Sequence, residues 1–245
     1  MNTEMYCYTH NREKTPLSSL FDSWFDLDRT AVLCIDMHRG HLEEECTCPA
    51  PRAIEKIEIH NTFLRQVRAL GMPVIMVQHW QRHGGIDDIA SHKRTKGANW
   101  RYVYQLYLPP NPLMDEHSWE GTRWLDLMVE TEPTDYYIRT KKRLSGFYPT
   151  DLEFLLHNLD VDNVILTGTF TDACVLSTAF DAANRDFRVI VPRDIVAGYS
   201  EEAEHAALLV ISLHLGLVVD SEALLSEWHA RKAIAPITEN SVMMA

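Results

Sequence analysis

Short apolar runs alternate with helical patterns along most of this chain, and that alternation limits the fold more than any other feature. TAVLCID (30–36) is a continuous apolar run, as expected of a strand covered on both faces. In EKIEIHNTFLRQVRALG, Ile57, Ile59, Phe63, Leu64, Val67 and Leu70 recur at helical steps, and Gly71 supplies a C-terminal stop. PVIMVQHW reads as a second strand and DYYIRTK as a third. Between them, residues 81–134 are polar and weakly periodic, with a short helix expected near 121–129. Thr150 and Glu153 have capping-box spacing and predict a helix start. NVILTG, FRVIVPRD and LVVD read as the remaining strands, separated by helices. Ser200 is expected to cap the helix that begins with SEEAEHAALL, and a last helix is expected over 221–232.

Strands separated by helices pair in parallel through right-handed crossovers. The expected fold is therefore α/β: a three-layer, open, mostly parallel, doubly wound sheet with helices on both faces. One domain over 29–232 accounts for the pattern. Residues 1–28 form an aromatic N-terminal arm expected to pack on a surface, and 233–245 a C-terminal tail.

Composition removes several function classes. The 245 residues are 46% hydrophobic, enough for a sizeable core, yet no apolar stretch reaches the ~18 residues of a membrane span. A formal net charge of −12 argues against a nucleic-acid partner. The N-terminus has no basic-then-apolar export pattern, and the cysteines (Cys7, Cys34, Cys46, Cys48 and Cys174) are odd in number. Both point to reduced thiols in the cytoplasm.

In open α/β sheets, ligands bind beyond the carboxyl ends of the strands. Three reactive side chains fall there: Asp36 after the first strand, Lys141 at the end of the third, and Cys174 in the turn after the fourth. A thiol becomes a strong nucleophile as a thiolate, which a helix N-terminus and a nearby cation favour. Asp36 can take the thiol proton and later pass it to a leaving amine. Backbone amides of Phe170 and Cys174 are candidates for an oxyanion hole.

These pieces resemble the isochorismatase-like cysteine hydrolases, a group that includes nicotinamidases and N-carbamoylsarcosine, biuret and ureidoacrylate hydrolases. The matching segments are AVLCIDMH, KKRLSGFYPTDLEFLL and NVILTGTFTDACVLSTAFDAANRDFRVIVPRD, in that order, from about Thr30 to Asp220. The resemblance implies an Asp36–Lys141–Cys174 triad. It prefers Lys141 to Lys142 by the six-residue spacing to Phe147. It also implies a cis peptide at Thr169–Phe170 that turns the Phe170 amide toward the oxyanion. A homo-oligomer, dimer or tetramer, is implied on the same ground.

Other positions stay open. His38, Arg39 and His41 follow the Asp strand and either contact substrate or face solvent. His38, His41, Cys46 and Cys48 match no zinc spacing well, and the nicotinamidase Asp-x-His metal pattern lacks its Asp here, so no metal and no cofactor are expected. Arg82, Lys93, Arg94, Lys96 and Arg101 are interleaved with Trp80 and Trp100; Trp80 and Arg82 are the nearest candidates for a substrate carboxylate. Phe147 and Tyr148 are either pocket walls or core. The leading expectation is an amidohydrolase acting on a small amide, ureido or carbamoyl compound. The alternatives are a vinyl ether hydrolase, or a non-catalytic binding module on the same fold.

Overall fold

The computed structural model describes residues 21–46, 49–87 and 118–234. Calls that fall on Cys7, Cys48, Lys93, Arg94, Lys96, Trp100 and Arg101 lie outside these residues. Seven strands are present among the described residues: β1 (Thr30–Ile35), β2 (Val74–His79), β3 (Tyr136–Lys141), β4 (Asn163–Thr169), β5 (Arg188–Pro192), β6 (Val196–Ala197) and β7 (Gly216–Val219). All pair in parallel, in the order β3-β2-β1-β4-β5-β7, with β6 alongside β4. Seven α-helices accompany them among the described residues: α1 (Arg39–Leu42), α2 (Pro51–Ile54), α3 (Ile57–Leu70), α4 (Leu152–Asn158), α5 (Leu176–Ala183), α6 (Glu201–His214) and α7 (Ser221–Ile234).

Successive strand residues feed two separate cores, as the two-residue period of a strand requires. Val32, Cys34, Val74, Met76, Ile165 and Ile190 face one side, with Phe63, Leu64 and Val67 of α3 and Leu224 and Trp228 of α7. Ala31, Leu33, Ile35, Ile75, Val77, Val164, Leu166 and Val189 face the other, with α4, α5 and α6. Every residue of β1, β2 and β4 is buried, which is why those runs lack polar alternation. Gly71 closes α3 at φ +93°, and the Ser200 hydroxyl accepts from the Ala203 N–H at the start of α6.

Several expectations shift. The capping box at Thr150 is not formed: Asp151 occupies the cap position, and the Thr150 hydroxyl instead donates to the Gly146 carbonyl at 2.6 Å. The helix expected near 121–129 is a single 3-10 turn, Arg123–Leu125. Residues 21–28 of the expected arm belong to the folded unit: Phe25 is fully buried, and Phe21 and Trp24 pack against the same core.

The chain winds outward through β2 and β3 on one side of β1, then through β5 and β7 on the other side of β4. The switch lies between β1 and β4, so the crevice beyond their carboxyl ends is where a ligand fits. Gly168 permits the close approach there. It has φ +101°, and a Cβ would stand 2.1 Å from the Ile35 carbonyl oxygen.

Candidate active site

Asp36 follows β1 at φ +53° and is fully buried. Its Oδ1 accepts the His79 N–H from the end of β2 at 2.6 Å. Its Oδ2 meets Lys141 Nζ at 2.5 Å. The lysine comes from β3, two strand spacings from β1, roughly 10 Å away. A long side chain is needed to span that gap, and a bulge aims it. Val77 pairs with Ile138 but His79 pairs with Lys141, so two residues of β2 oppose three of β3. The extra residue breaks the alternation: Ile138 and Lys141 are buried, while Arg139 and Thr140 are exposed.

Lys141 Nζ also lies 3.3 Å from Cys174 Sγ. The cysteine sits in a π-helical turn, Thr171–Val175, that runs into α5. The Phe170 carbonyl accepts from the N–H groups of both Ala173 and Val175 and fixes the turn. The Thr169–Phe170 peptide just before it is cis. The Thr169 hydroxyl donates to the Asp36 carbonyl at 3.2 Å, tying the turn to the aspartate. Asp36, Lys141 and Cys174, 105 and 33 residues apart in pairs, thus converge on one ammonium.

Burial works against the Lys141 ammonium, but the Asp36 carboxylate and the Cys174 sulfur outweigh it and hold its pKa above the usual lysine value. Burial pushes the Cys174 thiol up to about 12, with Lys141 pulling it down and Asp36 adding to the rise. Burial thus works against the thiolate that a helix N-terminus and a nearby cation would favour. The π-turn and one cation do not offset the loss of water around a sulfur that is 6% exposed. The site sets the Asp36 carboxyl group and the Lys141 ammonium beside a sulfur whose ionisation burial opposes.

His38 is fully buried, and neither ring nitrogen has a hydrogen-bond partner. Its pKa falls well below the ordinary histidine value, because burial, and then His41, disfavour the cation. The His41 ring lies 4.6 Å from that of His38, 6.1 Å from that of His79 and 5.8 Å from that of Phe170. Among the described residues, no three ligand-type side chains are spaced to share a metal ion.

The remaining candidates are dispersed. The Arg82 side chain is 66% exposed and paired with Asp87 at 2.8 Å. Trp80 is half-buried beneath the Arg139 guanidinium and lines a cavity of about 430 Å³ with Gln78 and Tyr137. Phe147 is buried, stacked 5.9 Å from Phe187 and crossed by Arg185, so its ring belongs to the core beneath α4 and α5. Tyr148 is 60% exposed. Sequence reasoning missed the His79 amide as a partner of Asp36; its place at the end of β2, on the same rim, was the available signal. It also missed Thr178, which stands one helical turn past Cys174.

Comparison with known proteins identifies the family. The family model described as "Isochorismatase domain" matches residues 30–223. An uncharacterized isochorismatase family protein of Bacillus subtilis (strain 168), PncA, is 36% identical over 122 residues, covering 46% of this chain; the match spans 66% of that protein's length, just under two thirds. Maleamate amidohydrolase of Pseudomonas putida is 33% identical over 192 residues, 78% of this chain and 83% of the relative. An isochorismatase-like hydrolase of Alkaliphilus metalliredigens superposes with a TM-score of 0.68 at 26% identity, over 82% of this chain and 99% of the other. A match over nearly the whole ordered domain, with a three-layer sheet that brings the carboxylate, ammonium and thiol to its switch point, places this chain in the isochorismatase family.

Proposed function

We propose that this protein is a cysteine-dependent amidohydrolase that cleaves a non-peptide C–N bond in a small amide, ureido or carbamoyl compound. One observation carries the reading: a single buried ammonium touches both a carboxylate, at 2.5 Å, and a thiol, at 3.3 Å. That arrangement serves a nucleophile and its base. Names among the relatives, such as maleamate amidohydrolase, support the same reaction class.

The reaction runs in two halves. Asp36 takes the Cys174 proton as sulfur adds to the substrate carbonyl carbon. The oxyanion rests on the N–H groups of Phe170 and Cys174. The tetrahedral intermediate collapses with loss of ammonia or an amine, which leaves with the proton from Asp36. Water then adds to the thioester, losing its proton to Asp36, and the acid departs as the thiol re-forms. Lys141 balances the sulfur's developing negative charge.

His38 is our assignment for substrate contact. A buried imidazole with two unpartnered nitrogens offers one donor and one acceptor, the complement of an amide. Trp80 lines a separate cavity with Gln78 and Tyr137 and is not needed for recognition in this scheme. Arg82 is committed to Asp87 and is not needed for recognition in this scheme.

A screen of small amides, ureas and hydrazides, with maleamate included, tests the proposal. Wild type releases ammonia or amine from at least one compound, and Cys174→Ala releases none. A Cys174→Ala protein that retains the activity rejects the thioester route and favours vinyl ether-type chemistry or a contaminant. A wild type inactive on every compound favours a non-catalytic module.

A further inference from the structure

We infer that Thr178 is a positioning residue that sets the nucleophile turn against the lysine segment; its effect on turnover rests on the function proposed above. Thr178 is fully buried on α5, one turn past Cys174. Its hydroxyl donates to the carbonyl of Cys174 itself at 2.6 Å. The same oxygen accepts the Gly146 N–H at 2.9 Å. Gly146 lies five residues beyond Lys141, in the segment that leaves β3. One hydroxyl therefore joins the backbone of the nucleophile to the backbone just past the ammonium it must meet.

A threonine bonded to the carbonyl four residues back is common in helices. Two features set this one apart. The carbonyl belongs to the nucleophile, and the oxygen's second bond comes from 32 residues away, outside the helix. The contact is also close. A Cβ on Gly146 would lie 3.3 Å from Val77 Cγ1 and 3.4 Å from both Leu152 Cδ2 and Thr178 Oγ1, so the segment is seated directly on α5 and β2. The Lys141–Cys174 contact of 3.3 Å depends on two elements that the sheet does not hold in register there. Gly146–Thr178–Cys174 supplies the missing tie.

Displacing reacting groups by about 1 Å costs on the order of 10²-fold in rate. Cys174 reactivity can be read without any substrate, from the rate of its alkylation by iodoacetamide, followed by mass on the peptide that carries it. Thr178→Val keeps the shape and removes both bonds; Thr178→Ala removes the same hydroxyl without the added methyl. Thr178→Ser restores the hydroxyl. Leu156→Ala, a core truncation in α4 that makes neither bond, controls for lost stability.

The inference expects alkylation to slow by about 10- to 100-fold in Thr178→Val and Thr178→Ala. Thr178→Ser should stay within about threefold of wild type, and Leu156→Ala should be unchanged. On any amide the enzyme turns over, kcat should fall in the same order while KM holds. Alkylation of Thr178→Val and Thr178→Ala at the wild-type rate overturns the inference. So does an equal slowing in Leu156→Ala, which would make the role merely structural. Because alkylation needs no substrate, a wild type inactive on every amide would count against the proposed function alone.

Discussion

Replacing Lys141 with methionine should cost both stability and activity, and the cost should shrink when Asp36 is neutralised as well. Methionine is flexible and close in length, so the cavity stays filled. What changes is charge. In wild type the fully buried Asp36 carboxylate has the Lys141 ammonium at 2.5 Å, the His79 N–H at 2.6 Å and the Cys174 thiol as partners. In Lys141→Met the amide and the thiol remain, and neither carries a compensating positive charge. Removing one partner of a buried pair typically costs about 3–5 kcal/mol, because the other charge is left uncompensated. At roughly 2–4 °C per kcal/mol for a chain of this size, the melting temperature should fall by about 6–20 °C. Adding Asp36→Asn to Lys141→Met removes the orphaned charge and should return about 2 kcal/mol or more. Guanidinium unfolding followed by circular dichroism, at one protein concentration near neutral pH, measures all four proteins of the cycle. A Lys141→Met protein within about 1 kcal/mol of wild type would refute the reasoning. So would a double variant whose loss equals the sum of the two single losses.

Further outcomes follow from other parts of the structure. His60 is fully buried, and burial lowers its pKa to about 3, so the folded state holds the neutral ring where the unfolded chain binds a proton. Its contribution is present above the unfolded value of ~6.5 and is lost as pH falls toward 3, about 5 kcal/mol in all. Unfolding midpoints that stay flat from neutral pH to pH ~4 would contradict this. Gly168→Ala should cost more than about 3 kcal/mol, since the new Cβ would meet a backbone carbonyl that cannot rotate away; a soluble variant with wild-type melting would rule out that packing. With the Cys174 thiol raised to about 12, the ultraviolet thiolate signal of wild type minus Cys174→Ala should be absent until well into the alkaline range. A difference signal already present near neutral pH would show a resting thiolate and restore the simpler expectation.

Most of the framework could be read along the chain. The continuous apolar runs of β1, β2 and β4 mark strands buried on both faces, and the structure buries every residue of the three. Gly71 and Ser200 act as stop and start because their chemistry is local: a left-handed residue and a hydroxyl facing a free N–H. The capping box at Thr150 did not form because the helix starts one residue later, with Asp151 at its cap; the Thr150 hydroxyl donates four residues back to Gly146 and accepts the Leu152 N–H, local bonds that compete with the box. Asp36, Lys141 and Cys174 were visible as reactive groups at strand ends. The bulge that turns Lys141 inward was not, since it exists only in the pairing of β3 with β2. The burial that opposes a Cys174 thiolate was not legible for a related reason: neighbouring charges can be guessed from strand order, but the depth of burial cannot. Phe147 stood open between pocket wall and core, because nearness to the lysine in sequence does not say where a ring points; its ring stacks on Phe187 in the core.

The thioester is the point on which the whole account turns. Wild-type enzyme mixed with an amide it cleaves, quenched in acid during turnover and digested, should yield the Cys174 peptide carrying the acyl group of the substrate by mass spectrometry. Asp36→Asn should show neither adduct nor product. Product formed with no adduct on Cys174, or an adduct on a different side chain, would contradict the assignment of Cys174 as the nucleophile.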